Sequence, residues 1–231
     1  MLELKELIRF AENDFDGMGN VKASSLMYEF QEIASHHADE LGIGFEELIK
    51  KNLIWVMSKL KFEVYERPEP GVEYVLSTYP RPKKGVTYFR DYYIHDGEGK
   101  LMAAAIAHWF VINFDTRRIE RAELKFDGEY IDHPAFEKGM EKIKLPELTK
   151  AGVHVVDEAD LDVNRHMNNC RYADMIGEVT GKGGYKAFVI NFSHESMLGD
   201  EISLYAGKED ERTVIVGKLE SGETVFQARM E

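Results

Sequence analysis

The order of apolar and polar residues predicts a helix followed by strands in the first half of the chain. Across residues 23–41 the apolar side chains fall near one face of a helix, with Ser24 or Ser25 as its cap and Gly42 at its end. After Gly42 the period changes to two, which is typical of strands with one buried face. The strands predicted in this way cover residues 60–64, 72–79, 88–95 and 101–113.

The same succession returns in the second half. A polar loop at residues 157–166 leads into a predicted helix near 168–179. Four strands follow, near residues 185–193, 200–206, 212–219 and 223–230. Residues 121–150 lie between the halves; they are charged, contain Pro134 and Pro146 and show no clean period, which indicates a linker.

Two sequence offsets indicate that the halves are repeats. Moving the second half back by 146 positions places Asp162 on Asp16, and an offset of 128 beyond the helix places Gly199 on Gly71. We therefore expect a unit of one helix and one antiparallel sheet to occur twice, because a lone helix buries its apolar face when such a sheet curls around it. The predicted division is an N-terminal repeat over residues 1–120, a linker over 121–150 and a C-terminal repeat over 151–231.

Composition narrows the class of protein. The 231 residues are 44% hydrophobic, which excludes disorder as the main state. They include 42 acidic and 29 basic residues, a formal charge of −13 without a concentrated basic stripe, so nucleic acid is not an expected partner. The single cysteine, Cys170, allows neither an internal disulfide nor a cysteine-based zinc site. With no apolar run of membrane-spanning length and no signal peptide, we expect a soluble, cytoplasmic protein.

A polar segment at residues 160–172 carries the candidate chemistry. A capped helix start would explain Asn168 or Asn169, but it does not explain Asn164 together with His166. A calcium loop fits the spacing of the first acidic residues and fails afterwards, because arginines occupy the glycine position and the final acidic position. A serine-hydrolase elbow is absent from the sequence, and we assign Cys170 to packing rather than to nucleophilic attack.

The segment from Asp162 to Asn169, continued by Tyr172 and Glu178, resembles the signature of the acyl-acyl-carrier-protein thioesterases of plants and bacteria. Similar blocks occur upstream in the same order, at residues 20–23, 31–38, 55–58, 78–80, 89–92 and 109–118. The resemblance covers about residues 10 to 230. It implies an α+β fold of two tandem hotdog repeats, each a long helix wrapped by a curved antiparallel sheet.

The resemblance also implies a reaction and its residues. Asp162, Asn164 and His166 match an Asp-Asn-His set that works with a glutamate to hydrolyse a fatty acyl thioester, and Glu195 matches that glutamate. No metal or organic cofactor is implied. Plant members often have a cysteine after this glutamate, whereas this chain has Ser196, which favours attack by water and leaves direct attack by Glu195 open.

Elementary chemistry suits these residues to those roles. The Asn164 amide can donate to the developing oxyanion, and His166 can orient or share the proton of water. Asp162 is expected to accept a hydrogen bond from the Asn164 amide, and Glu195 is the expected general base. Without a family match, the commoner explanations would be a solvated acid at the end of a strand for Glu195 and a loop histidine without a role for His166.

The first repeat lacks most of this set. By the two offsets, Met18, Asn20 and Arg67 occupy the places of the asparagine, the histidine and the glutamate, and only Asp16 is retained. We therefore expect this repeat to be catalytically empty and to hold the acyl chain.

The expected partner is an acyl carrier protein carrying a fatty acyl chain. Because carrier proteins are acidic, docking onto this acidic chain needs a local basic patch. The candidates are Arg81, Lys83 and Lys84, or Arg117, Arg118 and Arg121. An acyl-coenzyme A thioesterase, a hotdog hydratase and a non-catalytic acyl-binding sensor are the alternative functions, and a homodimer is compatible with the sequence.

Overall fold

The computed structural model describes residues 2–131, 133–162 and 164–231. The helices are α1 (Ala23–Glu40), α2 (Phe45–Ile49) and α3 (Asn169–Thr180). The strands are β1 (Leu4–Arg9), β2 (Leu53–Val64), β3 (Glu73–Lys84), β4 (Thr87–His95), β5 (Leu101–Asn113), β6 (Thr149–Val155), β7 (Ala187–Phe192), β8 (Glu201–Glu209), β9 (Arg212–Leu219) and β10 (Thr224–Met230). Short 3-10 turns at Glu12–Asp14 and Glu158–Asp160 precede the two long helices.

The chain forms two compact units, each of which consists of three segments that are not contiguous in the sequence. The first unit contains Met1–Arg9, Glu29–Glu66 and Val72–Glu137, and the second contains Phe10–Tyr28, Arg67–Gly71 and Lys138–Glu231. Each unit contains five neighbouring antiparallel strands and a helix, so the expected α+β class of helix and antiparallel sheet, present twice, is confirmed.

The sheet of the first unit has the strand order β1-β3-β4-β5-β2. The part of α1 that belongs to this unit packs on the sheet through Phe30, whose ring centroid lies 5.0 Å from that of Tyr92 and 6.4 Å from that of Phe62. Tyr92 stands opposite Ala105 in the register of β4 and β5. Small residues on β5 therefore leave room for the large rings beneath the helix.

One buried polar pair interrupts this apolar core. Arg90 is 8% exposed and His37 is 3% exposed. The Arg90 Nη1 atom donates to His37 Nδ1 at 2.9 Å and to Thr78 Oγ1 at 3.2 Å. Burial, aided by the charge of Arg90, lowers the pKa of His37 to about 4. His37 is therefore a neutral acceptor for the arginine at neutral pH.

The sheet of the second unit has the strand order β7-β10-β9-β8-β6. Helix α3 packs on it through Tyr172, whose ring makes edge contacts with Phe192 at 5.6 Å and Phe226 at 5.5 Å. Asn168 caps the helix by accepting from the Cys170 N–H at 2.9 Å, and Gly181 ends it with φ +69°. Cys170 is buried, which agrees with its assignment to packing.

Some boundaries differ from the predictions. Ser24 and Ser25 lie inside α1 and do not cap it. The helix begins at Ala23, whose N–H donates to the carbonyl of Gly183 at 2.9 Å, a distant partner that local sequence cannot reveal. Three short elements, β1, α2 and β6, were not predicted, and β6 begins inside the predicted linker.

The first part of the predicted linker, up to Glu137, belongs to the first unit, and the part from Lys138 onward belongs to the second. Between Ile119 and Thr149 the described residues form neither helix nor strand. The Tyr93 hydroxyl donates to the carbonyl of His133 at 3.1 Å, and the Ala135 N–H donates to Asp91 at 3.3 Å. The repeat and linker boundaries themselves remain predictions. In the described part of the chain, no helix is long and apolar enough to cross a membrane.

Candidate active site

Asp162 organises the loop that precedes α3. Its Oδ1 accepts from the backbone N–H groups of Asn164 at 2.8 Å and of His166 at 3.1 Å. The Asp162 N–H donates to the His166 carbonyl at 2.7 Å, and the Arg165 N–H donates to the Asp162 carbonyl at 3.0 Å. Arg165 takes φ +65°, a conformation that side chains other than glycine rarely adopt. The carboxylate thus closes a tight turn around the predicted catalytic residues.

Glu195 faces this loop from the segment that follows β7. The Met167 N–H donates to the carbonyl of Ser196 at 2.9 Å, and His166 forms a β-bridge with Met197. These backbone contacts bring His166 Nε2 to 3.8 Å from Glu195 Oε2. The two side chains keep 21% and 39% of their surface exposed, so both are accessible to a substrate.

A glycine turn supports the segment that carries Glu195. The Asp200 carboxylate accepts from the Met197 N–H at 2.8 Å, and the Gly199 N–H donates to the Val156 carbonyl at 2.9 Å. Gly199 takes φ +87°, which explains why glycine occupies this position. Gly199 and Asp200 therefore close the turn between Glu195 and β8.

The structure brings His166 close to Glu195 and binds Asp162 to the backbone of the loop, with one difference from the expectation. Asp162 contacts the backbone N–H of Asn164, whereas a bond from the Asn164 side-chain amide was expected. The carboxylate therefore fixes the path of the loop rather than the orientation of that amide. Asn164 is exposed, so its side-chain amide is accessible to a substrate.

Ser196 stands where plant members often have a cysteine. It is 0% exposed, in contrast to its neighbour Glu195. A hydroxyl with no exposed surface is not accessible to a substrate in this conformation. This burial argues against Ser196 as a nucleophile.

The first repeat contains the same turn without the catalytic side chains. Asp16 Oδ1 accepts from the N–H groups of Met18 and Asn20, both at 2.9 Å. The Asp16 N–H donates to the Asn20 carbonyl at 2.8 Å, and the Gly19 N–H donates to the Asp16 carbonyl at 2.9 Å. Each bond repeats one at Asp162, 146 positions later, so the first offset is confirmed at the level of single hydrogen bonds.

The second offset holds as well. The Gly71 N–H donates to the Phe10 carbonyl at 2.8 Å, which corresponds to the Gly199 bond. Arg67 takes the place of Glu195 and donates from Nη1 to the Met18 carbonyl at 3.4 Å. We call the turn at residues 16–20, which lacks the catalytic side chains, the degenerate turn. It therefore faces a cation, Arg67, where the turn of the other repeat faces its candidate general base, Glu195.

From the sequence, Asp160 was considered only as a calcium ligand, whereas the structure buries it beside β6. Asp160 is 7% exposed and contacts His154 at 2.7 Å. The spacing of Asp160 from the catalytic loop was visible in the sequence, but its partner on β6 was not.

Among the residues that the structure describes, no group of three or more His, Cys, Asp or Glu side chains is placed to hold a metal ion.

Two of the basic docking candidates are paired with acids. Arg81 Nη1 lies 3.0 Å from the buried Asp91 carboxylate, and Lys83 Nζ lies 2.6 Å from Glu123. These pairs reduce the positive charge that the Arg81–Lys84 patch offers to an acidic partner.

A cavity of about 550 Å³ lies in the first unit, and its lining, which includes Tyr79 and Tyr93, contains none of the four predicted catalytic residues.

The repeated helix-and-sheet units and the loop facing Glu195 define a tandem hotdog protein with a thioesterase-like site. Family sequence models agree with this class. The acyl-ACP thioesterase N-terminal domain matches residues 4–130, and the acyl-ACP thioesterase C-terminal domain matches residues 146–230. The chain belongs to the acyl-ACP thioesterase family.

Named relatives are plant enzymes that are longer than this chain. A chloroplastic palmitoyl-acyl carrier protein thioesterase of Gossypium hirsutum is 31% identical over 172 residues, which are 67% of this chain and 41% of the relative. The chloroplastic oleoyl-acyl carrier protein thioesterase 2 of Arabidopsis thaliana is 24% identical over 210 residues, which are 80% of this chain and 57% of the relative. The chain thus spans about two fifths of the first of these proteins.

Solved structures show the same fold over almost the full length. An acyl-ACP thioesterase from Bacteroides thetaiotaomicron superposes with a TM-score of 0.91 at 22% identity, covering 99% of this chain and 97% of that one. The 12:0-ACP thioesterase from Umbellularia californica superposes with a TM-score of 0.84 at 19% identity, covering 100% of this chain and 97% of that one.

Proposed function

We propose that this protein hydrolyses the thioester of fatty acyl-acyl-carrier protein to a free fatty acid and the carrier thiol. The observation that carries the proposal is the approach of His166 Nε2 to within 3.8 Å of Glu195 Oε2 on a loop shaped by Asp162. Membership of the acyl-ACP thioesterase family supports the choice of substrate class.

In the proposed mechanism Glu195 removes a proton from water while the water oxygen bonds to the thioester carbonyl carbon. The Asn164 amide donates to the resulting oxyanion, and His166 orients the water and the glutamate. The C–S bond then breaks, the carbonyl reforms, and the proton passes to the departing thiolate. Asp162 acts through the backbone N–H groups that it binds.

We also propose a division of labour between the repeats. The C-terminal repeat, residues 151–231, carries the reaction, and the N-terminal repeat, residues 1–120, holds the acyl chain. The degenerate turn at Asp16 supports this division because it keeps the backbone hydrogen bonds and lacks the asparagine, histidine and glutamate.

The proposed setting is fatty acid synthesis in the cytoplasm. Two plant relatives are named as chloroplastic, so the compartment is a separate question from the reaction. The homodimer also remains a prediction, which sedimentation of the pure protein at several concentrations would test.

Release of free thiol from a panel of acyl-carrier-protein and acyl-coenzyme A thioesters, matched in chain length, tests the substrate class. We expect a higher kcat/KM on the carrier-protein thioesters. Equal or better turnover of the coenzyme A thioesters would replace the carrier protein with coenzyme A as substrate. Binding of acyl thioesters by folded protein without any thiol release would favour a non-catalytic sensor.

A further inference from the structure

A buried carboxylate lies at the start of the catalytic loop. Asp160 is 7% exposed, and its Oδ2 accepts from His154 Nε2 at 2.7 Å and from the Asp157 N–H at 3.1 Å. His154 belongs to β6, so this contact fastens the loop to the sheet. A carboxylate at this depth is costly unless such partners compensate it.

Arg171 fastens the same segment to α3. Its Nε lies 3.6 Å from Asp160 Oδ1, and its Nε and Nη2 donate to the Ala159 carbonyl at 3.2 and 2.9 Å. The Asn168 N–H donates to the Asp160 carbonyl at 2.8 Å. The start and the end of the catalytic loop are therefore joined at Asp160.

The first repeat keeps the carboxylate and lacks the other two side chains. Asp14 accepts from the Ala11 N–H at 2.8 Å, as Asp160 does from Asp157. At the place of Arg171 stands Ser25, whose hydroxyl donates to Asp14 at 2.9 Å. The place of His154 is taken by Ile8. Only the repeat with the catalytic side chains has the histidine and the arginine.

From this difference we infer that His154, Asp160 and Arg171 form a loop clamp that positions His166 against Glu195. The two catalytic side chains come from different segments, and an error of about 1 Å between reacting groups can reduce a rate by about 100-fold. The clamp residues do not touch the reacting atoms; they hold the loop between the sheet and α3. This inference rests on the proposed function.

Kinetics of conservative variants test the clamp. We expect His154→Phe to lower kcat by about tenfold or more with KM changed by less than about twofold, because the loop loses its anchor on the sheet. His154→Gln retains an N–H that can donate to Asp160 and should recover most of the rate. Asp160→Asn should lower kcat similarly, whereas its counterpart Asp14→Asn in the first repeat should not. Equal kcat values for wild type and His154→Phe would overturn the clamp.

Amide hydrogen exchange tests the clamp without reference to activity. In His154→Phe, the N–H groups of Asn164 and His166 should exchange about tenfold faster than in wild type. The corresponding groups of Met18 and Asn20 should be unchanged and serve as the internal control. Unchanged exchange at both loops would refute the clamp. Inactive wild type would contradict the proposed function, and the exchange data would still decide the clamp.

Discussion

The buried pair of His37 and Arg90 predicts a loss of stability in mild acid. An exposed histidine has a pKa of 6.5, and burial beside Arg90 lowers that of His37 to about 4. Between these two values the unfolded chain binds more protons than the folded one, so the free energy of unfolding falls as the pH falls. From pH 7.5 to pH 5.0 the difference amounts to about 2 kcal/mol for this one group.

Urea unfolding at pH 7.5 and pH 5.0 measures this effect. A loss of about 2 kcal/mol corresponds to a shift of roughly 1 M in the urea midpoint. His37→Gln removes the titrating group and keeps an acceptor for Arg90, so its midpoint should depend less on pH. His108, whose pKa burial and Lys59 also lower to about 4, remains in the variant and should retain part of the slope.

The comparison between wild type and His37→Gln isolates His37 from other titrating groups. His36 acts in the opposite sense, because its hydrogen bond to Glu6 raises its pKa, but it is exposed and present in both proteins. A wild-type midpoint that does not change between the two pH values would contradict the expected loss of stability in acid. An identical pH dependence in the variant would show that His37 is not the cause.

Four further variants test the catalytic loop, its counterpart in the first repeat and Ser196. Asp162→Asn and Asp16→Asn should each lower the free energy of unfolding by about 1–2 kcal/mol in urea titrations, because each weakens two bonds to backbone N–H groups. Only Asp162→Asn should also reduce thiol release. Arg165→Gly should leave the Tm unchanged or raise it, since relief of a positive φ, about 1 kcal/mol, offsets an exposed ion pair with Glu158; a fall of several degrees would contradict this. Ser196→Ala should keep kcat within about twofold if the residue only packs, and a loss of about 100-fold would restore it as a nucleophile.

Much of the fold was predictable because the patterns that indicate a helix or a strand lie in neighbouring residues of the sequence. The apolar period of α1 and the left-handed Gly42 after it are contained in neighbouring residues. The strand pattern of residues 101–113 matched β5 in spite of a run of alanines, because the following aromatic and β-branched residues favour a strand. The start of α1 was not predictable, since the carbonyl that binds the Ala23 N–H comes from Gly183.

The candidate site was predictable in its residues and not in its contacts. The family resemblance pointed to Asp162, Asn164, His166 and Glu195, and the structure places His166 Nε2 3.8 Å from Glu195 Oε2. The bond of Asp162 to backbone N–H groups depends on the turn conformation, which includes a left-handed arginine that sequence rules disfavour. The His154 contact to Asp160 depends on strand packing, which no local pattern encodes.

Thiol release from acyl-acyl-carrier protein by wild type, Glu195→Gln and Arg67→Gln tests whether Glu195 is the general base. Glu195 and Arg67 occupy matching places in the two repeats, so the second variant controls for a change at the same position of the fold. The account predicts a loss of about 100- to 10,000-fold in kcat for Glu195→Gln, the range of a general base, and a change of less than about twofold for Arg67→Gln. Full activity of folded Glu195→Gln would contradict it.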